Sequence, residues 1–279
     1  MSQRHQAQDL LDPTPAPWVA VSGGKGGVGK TLIAVNLAIL TGRSGYRTLL
    51  VDLDPGLPNV DVHMRMAPRF TIEDVVDGAC TAAQALVRGP GRISVLCGRS
   101  GSTRLAAGDT GYLDRVFDAV QRAAYGFDVV ILDTGAGIGP SVMAAAQRAA
   151  LVLAVTTPEP AAVTDTYALC KLLLMRKSTV PRVVINRVRS RGEAMRTGGR
   201  LSMVCQKFLG KELEVAGWLR MEPSLQLSVA DQRPFGIAGG GPAMEDLRAM
   251  VAMTLSALPG LRRRRTQTAV APTPPDEST

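Results

Sequence analysis

The sequence has few of the residues that build metal centres and disulfide scaffolds, and it lacks a long apolar run. It contains four cysteines and two histidines in 279 residues. The cysteines stand apart, without a CxxC pair or a neighbouring histidine, which argues against zinc sites and indicates reduced cysteines packed in the interior. No apolar run approaches the roughly 18 residues that a membrane span needs. Because the N-terminus also lacks the apolar segment of a secretory signal, we expect a cytoplasmic protein.

The distribution of charge and proline predicts one domain between two tails. Residues 1–17 are polar and end in a proline-rich linker, which prolines keep out of helix and sheet. Residues 18–260 are predicted to fold, and residues 261–279 form a basic, proline-rich tail that we expect to be disordered. The net charge of +8 admits anionic partners without specifying one.

Short apolar runs alternate with amphipathic segments of helical length across residues 18–260. Runs that are apolar throughout suit strands buried on both faces, so this order predicts a doubly wound, mostly parallel α/β sheet flanked by helices. The predicted strands are Trp18–Val21, Thr48–Val51, Ile93–Leu96, Phe127–Leu132, Leu151–Val155, Val183–Ile185 and Val215–Trp218. The predicted helices are Leu32–Leu40, Leu113–Ala124, Val142–Ala149, Val163–Met175 and Met244–Leu258.

A phosphate-binding motif follows the first predicted strand. Residues Gly24–Thr31 match GxxxxGK[ST] in the strand-loop-helix order that the motif requires. Glycines let backbone N–H groups turn toward phosphates, and the following helix adds free donors and the positive end of its dipole. Lys30 is predicted to contact the β- and γ-phosphates of a bound nucleotide, and the Thr31 hydroxyl to ligate Mg²⁺. The nucleotide-binding residues of this loop are Gly24, Lys25, Gly26, Gly27, Val28, Gly29, Lys30 and Thr31.

The loop contains a second lysine, Lys25, at a position that an ordinary phosphate loop leaves free. The sequence from Lys25 to Thr31 resembles the deviant Walker A motif of the MinD/ParA family of ATPases. The resemblance implies an ATP-dependent homodimer in which this lysine reaches the nucleotide of the partner subunit. A charge supplied in trans would make hydrolysis depend on dimerisation.

Carboxylates follow the second and the fourth of the predicted strands. Ligands of such sheets lie beyond the carboxyl ends of the strands, so Asp52, Asp54 and Asp133 should lie near the phosphate loop. By resemblance, Asp52 and Asp133 belong to the Mg²⁺ environment, and Asp54 activates the attacking water from a first switch loop that also contains Asn59. Glycines after Asp133 would form a second switch loop, although relatives usually have proline at Gly135.

The residues that would bind the adenine base match the family motif less closely than the phosphate loop does. By resemblance, Asn186 contacts adenine from the end of a strand, although an asparagine there also fits a strand cap. The later segment Gly217–Ser224 aligns with a loop beside the base that usually carries proline and aspartate where Arg220 and Glu222 stand. These departures weaken the adenine assignment.

Further segments resemble the flagellar-number regulator branch of the family (FlhG/FleN-like). They are residues 54–61, 71–75, 93–101, 134–138 and 157–168. The branch resemblance implies regulation of the number or placement of flagella or of another polar assembly. Residues 62–66 read Val-His-Met-Arg-Met where relatives tend to be apolar, which indicates that a partner-binding surface has changed. A role in a non-flagellar system is therefore a further alternative.

Two other functions remain open at this stage. A ParA-like partition ATPase would bind DNA nonspecifically through basic residues, and a scaffold would bind ATP with little turnover. The basic stretch comprises Arg182, Arg187, Arg189, Arg191, Arg196 and Arg200, which also suits a solvated helix and loop. Arg262–Arg265 could contact anionic lipid at the inner face of the membrane, whereas the apolar stripe of residues 244–258 suits packing on the sheet.

The segment His5–Leu11 precedes the linker and resembles the activator helix of flagellar-number regulators. That helix begins Asp-Gln-Ala and stimulates a signal-recognition-type GTPase through its glutamine, and His5 replaces the aspartate here. The resemblance therefore assigns partner binding to Gln6. A chance match within a disordered tail is the alternative.

Overall fold

The chain folds around an eight-stranded sheet in the computed structural model, which describes residues 15–56, 58–176 and 179–261. The strands are β1 Trp18–Gly23, β2 Thr48–Leu53, β3 Leu86–Arg88, β4 Ile93–Leu96, β5 Val129–Ala136, β6 Leu151–Thr156, β7 Arg182–Val188 and β8 Val215–Arg220. Their spatial order is β3-β4-β2-β5-β1-β6-β7-β8, and only the β3–β4 pair is antiparallel. The predicted doubly wound, mostly parallel sheet is confirmed.

Helices cover both faces of this sheet. They are α1 Lys30–Arg43, α2 Val60–His63, α3 Ile72–Val76, α4 Ala82–Ala85, α5 Thr103–Ala107, α6 Thr110–Ala123, α7 Pro140–Arg148, α8 Pro160–Met175, α9 Arg191–Leu209, α10 Pro223–Ala230, α11 Phe235–Ala238 and α12 Gly241–Ala257. A 3₁₀ turn spans Pro90–Arg92. The α1 and α12 helices pack on one face, whereas α3, α6 and α7 pack on the other. The four innermost predicted strands are buried along their length, which explains their continuous apolar runs.

The sequence missed one strand and one long helix. The β3 strand has three residues and pairs at the sheet edge with β4, so it is too short to show a periodic pattern. The 19-residue α9 helix contains much of the basic stretch, and its arginines and glycines obscure its narrow apolar stripe. Phe127 was predicted to lie in a strand but lies in a turn, where its N–H bonds to the carbonyl of Ala124.

Two predictions about packing are confirmed. Cys97, Cys170 and Cys205 are buried, Cys80 is half-buried, and all four are free thiols. The apolar stripe of α12 lies in the core, with Leu247 and Met250 each 1% exposed. Along the described ranges, no helix is both long and apolar enough to cross a membrane.

Candidate functional site

The phosphate loop runs from the end of β1 to the start of α1, and close contacts require glycine at Gly24 and Gly29. A Cβ at Gly24 would lie 2.1 Å from the carbonyl oxygen of Asp165 in α8, so a larger residue cannot fit there. Gly29 precedes α1 with φ of 95°, in the left-handed region that favours glycine. Lys30 is the first residue of α1 and is 7% exposed. The predicted loop therefore has the conformation that a phosphate cradle needs.

A cavity of about 930 Å³ opens at the carboxyl ends of the strands. It is lined by the phosphate loop, by residues that follow β2 and β5, and by residues that follow β7 and β8. Ligands of doubly wound sheets bind at this edge. Among the residues predicted from the sequence, those that line the cavity are Gly26, Gly27, Gly29, Lys30, Thr31, Asp54, Asn59, Gly135, Asn186, Arg220 and Glu222.

Asp52 lies below the cavity and holds the first switch loop. It is 1% exposed, and its carboxylate accepts hydrogen bonds from the N–H of Asp54 at 3.1 Å and of Val60 at 3.0 Å. Burial and, next, the neighbouring Asp133 raise its pKa well above the ordinary value. Asp52 thus holds the first switch loop in place, and its predicted role in the Mg²⁺ environment stays a prediction.

Asp133 lies beside Asp52 on the adjacent strand, and the two residues are paired in the β2–β5 register. It is completely buried, and neither carboxylate oxygen has a hydrogen-bond partner in the described ranges. Burial raises its pKa to about 7, although nearby Thr31 and Lys30 favour the charged form. Buried polar atoms are normally paired, so these oxygens suit a Mg²⁺-bound water or the ion itself. Thr31 and Asp133 therefore fit the predicted magnesium site.

We expect Asp133→Asn to stabilise the nucleotide-free protein at pH 8. A carboxyl with a raised pKa contributes stability below the unfolded-state pKa of about 4, and this contribution is lost as the pH rises to about 7. The variant should therefore unfold at a Tm higher by at least about 3 °C at pH 8, with a smaller difference at pH 5. Calorimetry at several pH values measures this difference. Asp114→Asn, at a 65% exposed side chain, is the control, and parallel pH profiles for Asp133→Asn and wild type would contradict the expectation.

The two switch loops touch each other beside the cavity. A Cβ at Gly135 would lie 3.0 Å from Cδ of Pro55 and 3.5 Å from Oδ1 of Asp54. Asp54 accepts a hydrogen bond from the N–H of Gly56 at 3.0 Å, and Asn59 is the residue before α2. A proline ring at position 135, which is usual in relatives, would meet Pro55 in this arrangement, so glycine here suits the close contact.

Lys25 is bound within its own subunit. Its Nζ lies 3.2 Å from Oε2 of Glu159, the residue that precedes α8, and the two side chains are 40% and 60% exposed. Exposed ion pairs contribute about 0–1 kcal/mol, so Lys25 can leave Glu159 for a better partner. The sequence did not identify Glu159, which lies 134 residues away along the chain.

Asn186 connects the part of the cavity that follows β7 to the phosphate loop. It is 3% exposed, donates to the carbonyl of Val28 at 2.8 Å, and accepts from the N–H of Arg187 at 2.9 Å. Its side chain also fills the space above Gly29, where a Cβ would lie 2.2 Å from Nδ2. In the described arrangement, the Asn186 amide positions the loop, and its predicted adenine contact stays a prediction.

Arg220 and Glu222, which depart from the family pattern, are both fixed by neighbours. Arg220 forms a two-point ion pair with Asp246, with distances of 2.6 and 2.8 Å, and stacks over Trp218. Glu222 accepts from the Ser224 hydroxyl at 2.6 Å and from the N–H of Ala243 at 3.0 Å.

His63 also lines the cavity and was missed as a site residue. Burial lowers its pKa, so the imidazole is neutral at pH 7. Its signal in the sequence was a histidine at a position where relatives tend to be apolar.

Comparison with known proteins agrees with this geometry. A family model for the CobQ/CobB/MinD/ParA nucleotide binding domain matches residues 19–235. The chain belongs to this MinD/ParA family. MinD/ParA proteins are P-loop ATPases, and the strand order and phosphate loop described above are consistent with that class.

Three similar proteins illustrate the relationship. The chain is 36% identical to "Antiactivator FleN" of Pseudomonas aeruginosa over 220 residues, which cover 78% of this chain and 79% of FleN. It is 29% identical to "Flagellum site-determining protein YlxH" of Helicobacter pylori, over 77% of this chain and 74% of YlxH. The solved structure of MinD complexed with Mg-ADP from Pyrococcus horikoshii has 19% identity and a TM-score of 0.69, over 86% of this chain and 96% of that one. The structural match shows a shared fold, and the FleN match falls in the branch that the sequence predicted.

Proposed function

We propose that this MinD/ParA protein is an ATP-binding and ATP-hydrolysing dimer switch that regulates the number or placement of flagella or of another polar assembly. The observation that carries the ATPase assignment is the convergence of Lys30, Thr31 and Asp54 around one cavity. Asp133 lies buried close to Thr31 and Lys30, and Lys25 belongs to the same phosphate loop. A scaffold that binds ATP without turnover does not require Asp54 and Asp133 at these positions.

Each residue has a distinct role in this proposal. Lys30 binds the β- and γ-phosphates, and the N–H groups of the phosphate loop bind their oxygens. Thr31 and Asp133 hold Mg²⁺, with Asp52 shaping the loop beside it, and the ion supplies positive charge to the phosphates. Asp54 orients the attacking water, and Asn59 belongs to the same switch loop. Asn186 links adenine recognition to the loop through Val28.

Hydrolysis depends on dimerisation because Lys25 acts in trans. In the free subunit Lys25 is bound by Glu159, so its contribution to hydrolysis is absent until a second subunit binds. This arrangement predicts slow turnover by monomers and faster turnover by ATP-bound dimers.

The flagellar role is supported by the relatives and by a cluster of branch-specific residues. FleN is named an antiactivator, and YlxH a flagellum site-determining protein. Two segments that resemble the flagellar-number branch pack together, since Arg99 binds Asp74 at 2.6 Å and its N–H binds Glu73 at 2.9 Å. These two branch-like segments therefore support each other in the fold, although they are about 25 residues apart in the sequence.

Two experiments test the proposal: one measures the oligomeric state with each nucleotide, and the other measures the number and position of flagella in cells. We expect a monomer with ADP and a dimer with ATP and Mg²⁺ in light-scattering chromatography. We expect deletion of the gene in its own host to change flagellar number or position, with restoration by the wild type. Loss of ATP-dependent dimerisation would contradict the switch, whereas a normal flagellar pattern would contradict only the cellular role.

The tails carry a second part of the proposal. Gln6 and Arg262–Arg265 lie outside the residues that the structure describes, as do most of residues 1–17 and 261–279. We propose that residues 1–17 stimulate a signal-recognition-type GTPase of the flagellar system and that the basic tail contacts anionic lipid at the membrane.

We expect a peptide of residues 1–17 to raise the GTPase rate of that partner. A glutamine can orient an attacking water by hydrogen bonds, so Gln6→Ala should remove the stimulation and leave ATP hydrolysis by the full chain unchanged. A phosphate-release assay measures both rates. An equally active Gln6→Ala peptide would indicate that the resemblance of this segment to the activator helix is a chance match.

A further inference from the structure

The outward face of α9 combines an apolar stripe with a row of cations. Successive residues of a helix are about 100° apart, so Met195, Gly199 and Met203 lie on one side of it. Arg196, Arg200 and Lys207 lie next to that stripe. The opposite side of the helix is buried, through residues such as Ala194, Leu201 and Cys205. Met203 is 70% exposed and Met195 is 42% exposed, so no described residue of the chain covers the stripe.

Gly199 in the middle of this stripe has no explanation in the packing of the fold. Its neighbour Gly198 is required, because a Cβ there would lie 2.4 Å from Cγ2 of Val215. A Cβ at Gly199 would meet nothing within 4 Å. Glycine inside a helix lowers the stability relative to alanine. Gly199 therefore leaves an open gap on the helix surface between the exposed side chains of Met195 and Met203.

The charges of this face are not balanced within the described ranges. None of Arg196, Arg200 and Lys207 forms an ion pair there. The acidic residue of α9, Glu193, is held at the start of the helix by the N–H of Arg189 at 2.6 Å. A partner that covers this face must therefore bring negative charge along the cationic row.

We propose that the outward face of α9 binds an acidic amphipathic helix of a partner protein. This face is formed by Met195, Gly199, Met203, Arg196, Arg200 and Lys207. An apolar side chain of the partner fills the gap at Gly199, and methionines adapt well to such packing. Carboxylates beside the partner's apolar stripe face the cationic row. The stripe from Met195 to Met203 is about 12 Å long, or about two turns of the partner helix.

Other occupants fit this face less well. Binding to a bilayer depends on large apolar side chains that insert into it, and Gly199 has no side chain to contribute. Nucleic acid phosphates would use the cations but not the methionines. A second copy of the chain would place like charges against each other across a two-fold axis. The proposal is independent of the nucleotide function, so its failure would leave that function untouched.

The test uses the full chain without nucleotide and a synthetic, labelled 18-residue helical peptide. The peptide carries leucines spaced three and four apart, with glutamates beside that leucine stripe. A scrambled peptide keeps its charge and composition but loses the stripe. We expect saturable binding of the first peptide by fluorescence anisotropy and at least tenfold weaker binding of the scrambled one.

Gly199→Leu decides between docking and general charge attraction. The side chain has open space in the free protein, so Tm should rise by about 2–4 °C while peptide affinity falls at least tenfold. Met203→Ser and Arg200→Gln should also weaken binding, and Tyr125→Ser, at a 74% exposed residue on another element, should not. Equal binding of both peptides, or unchanged affinity of Gly199→Leu, would overturn the proposal. Binding of phosphatidylglycerol vesicles or of a 30-base-pair duplex that these α9 variants abolish would overturn it as well.

Discussion

Lys30→Ala is expected to reduce ATP affinity at least about 100-fold, which corresponds to about 2.7 kcal/mol or more. Lys30 is almost completely buried at the start of α1 and lines the cavity, so its ammonium is held where the phosphates bind. A charge-assisted hydrogen bond in such a site contributes more than a neutral one, and the variant leaves the triphosphate without this countercharge. Isothermal titration calorimetry with ATP and Mg²⁺ measures the loss.

Lys25→Ala is the matched control for this experiment. It removes a lysine of the same loop that lies at the surface and binds Glu159, so one subunit should keep its affinity for ATP. Thermal unfolding of both variants without nucleotide checks that each is folded. An unchanged affinity of a folded Lys30→Ala protein would rule out the proposed phosphate site.

The second large effect separates nucleotide binding from switching. We expect Lys25→Ala to bind ATP as a monomer and to lose hydrolysis on the order of 100-fold, because the charge supplied in trans is missing. We expect Asp54→Ala to bind ATP and to dimerise but to hydrolyse little ATP, because the attacking water loses its hydrogen-bond acceptor. Chromatography with light scattering gives the oligomeric state, and phosphate release gives the rate.

Mixing these two variants tests whether the lysine acts across the dimer. In a mixed dimer, the Lys25→Ala subunit keeps its own Asp54 and receives Lys25 from its partner. One of the two sites is then complete, so the mixture should hydrolyse ATP faster than the sum of the separate variants. A mixture no faster than that sum, with mixed dimers present, would contradict the role in trans. Two variants that both remain ATP-bound monomers would contradict the assignments of Lys25 and Asp54 together.

The sequence alone determined the features that depend on local pattern. The phosphate loop is a continuous motif, and its glycines, Lys30 and Thr31 lie where the strand-loop-helix order placed them. The inner strands were predicted because burial on both faces demands continuous apolar runs. The position of Asp52 and Asp133 toward the carboxyl ends of β2 and β5, on the side where the cavity opens, followed from the rule that ligands bind at the carboxyl ends of parallel strands.

Only the tertiary structure decided the contacts between distant segments. The Lys25–Glu159 pair and the bond from Asn186 to Val28 join residues separated by 134 and 158 positions. These contacts depend on which strands are neighbours and on their register, and a slip of one residue turns a side chain to the other face. The raised pKa of Asp133 arises from its burial in β5 and, to a lesser extent, from the nearby Asp54, so it depends on how the strands and the switch loop assemble. Local sequence patterns indicate whether a residue lies in a helix, strand or loop. The order of the strands in the sheet determines which distant residues contact each other.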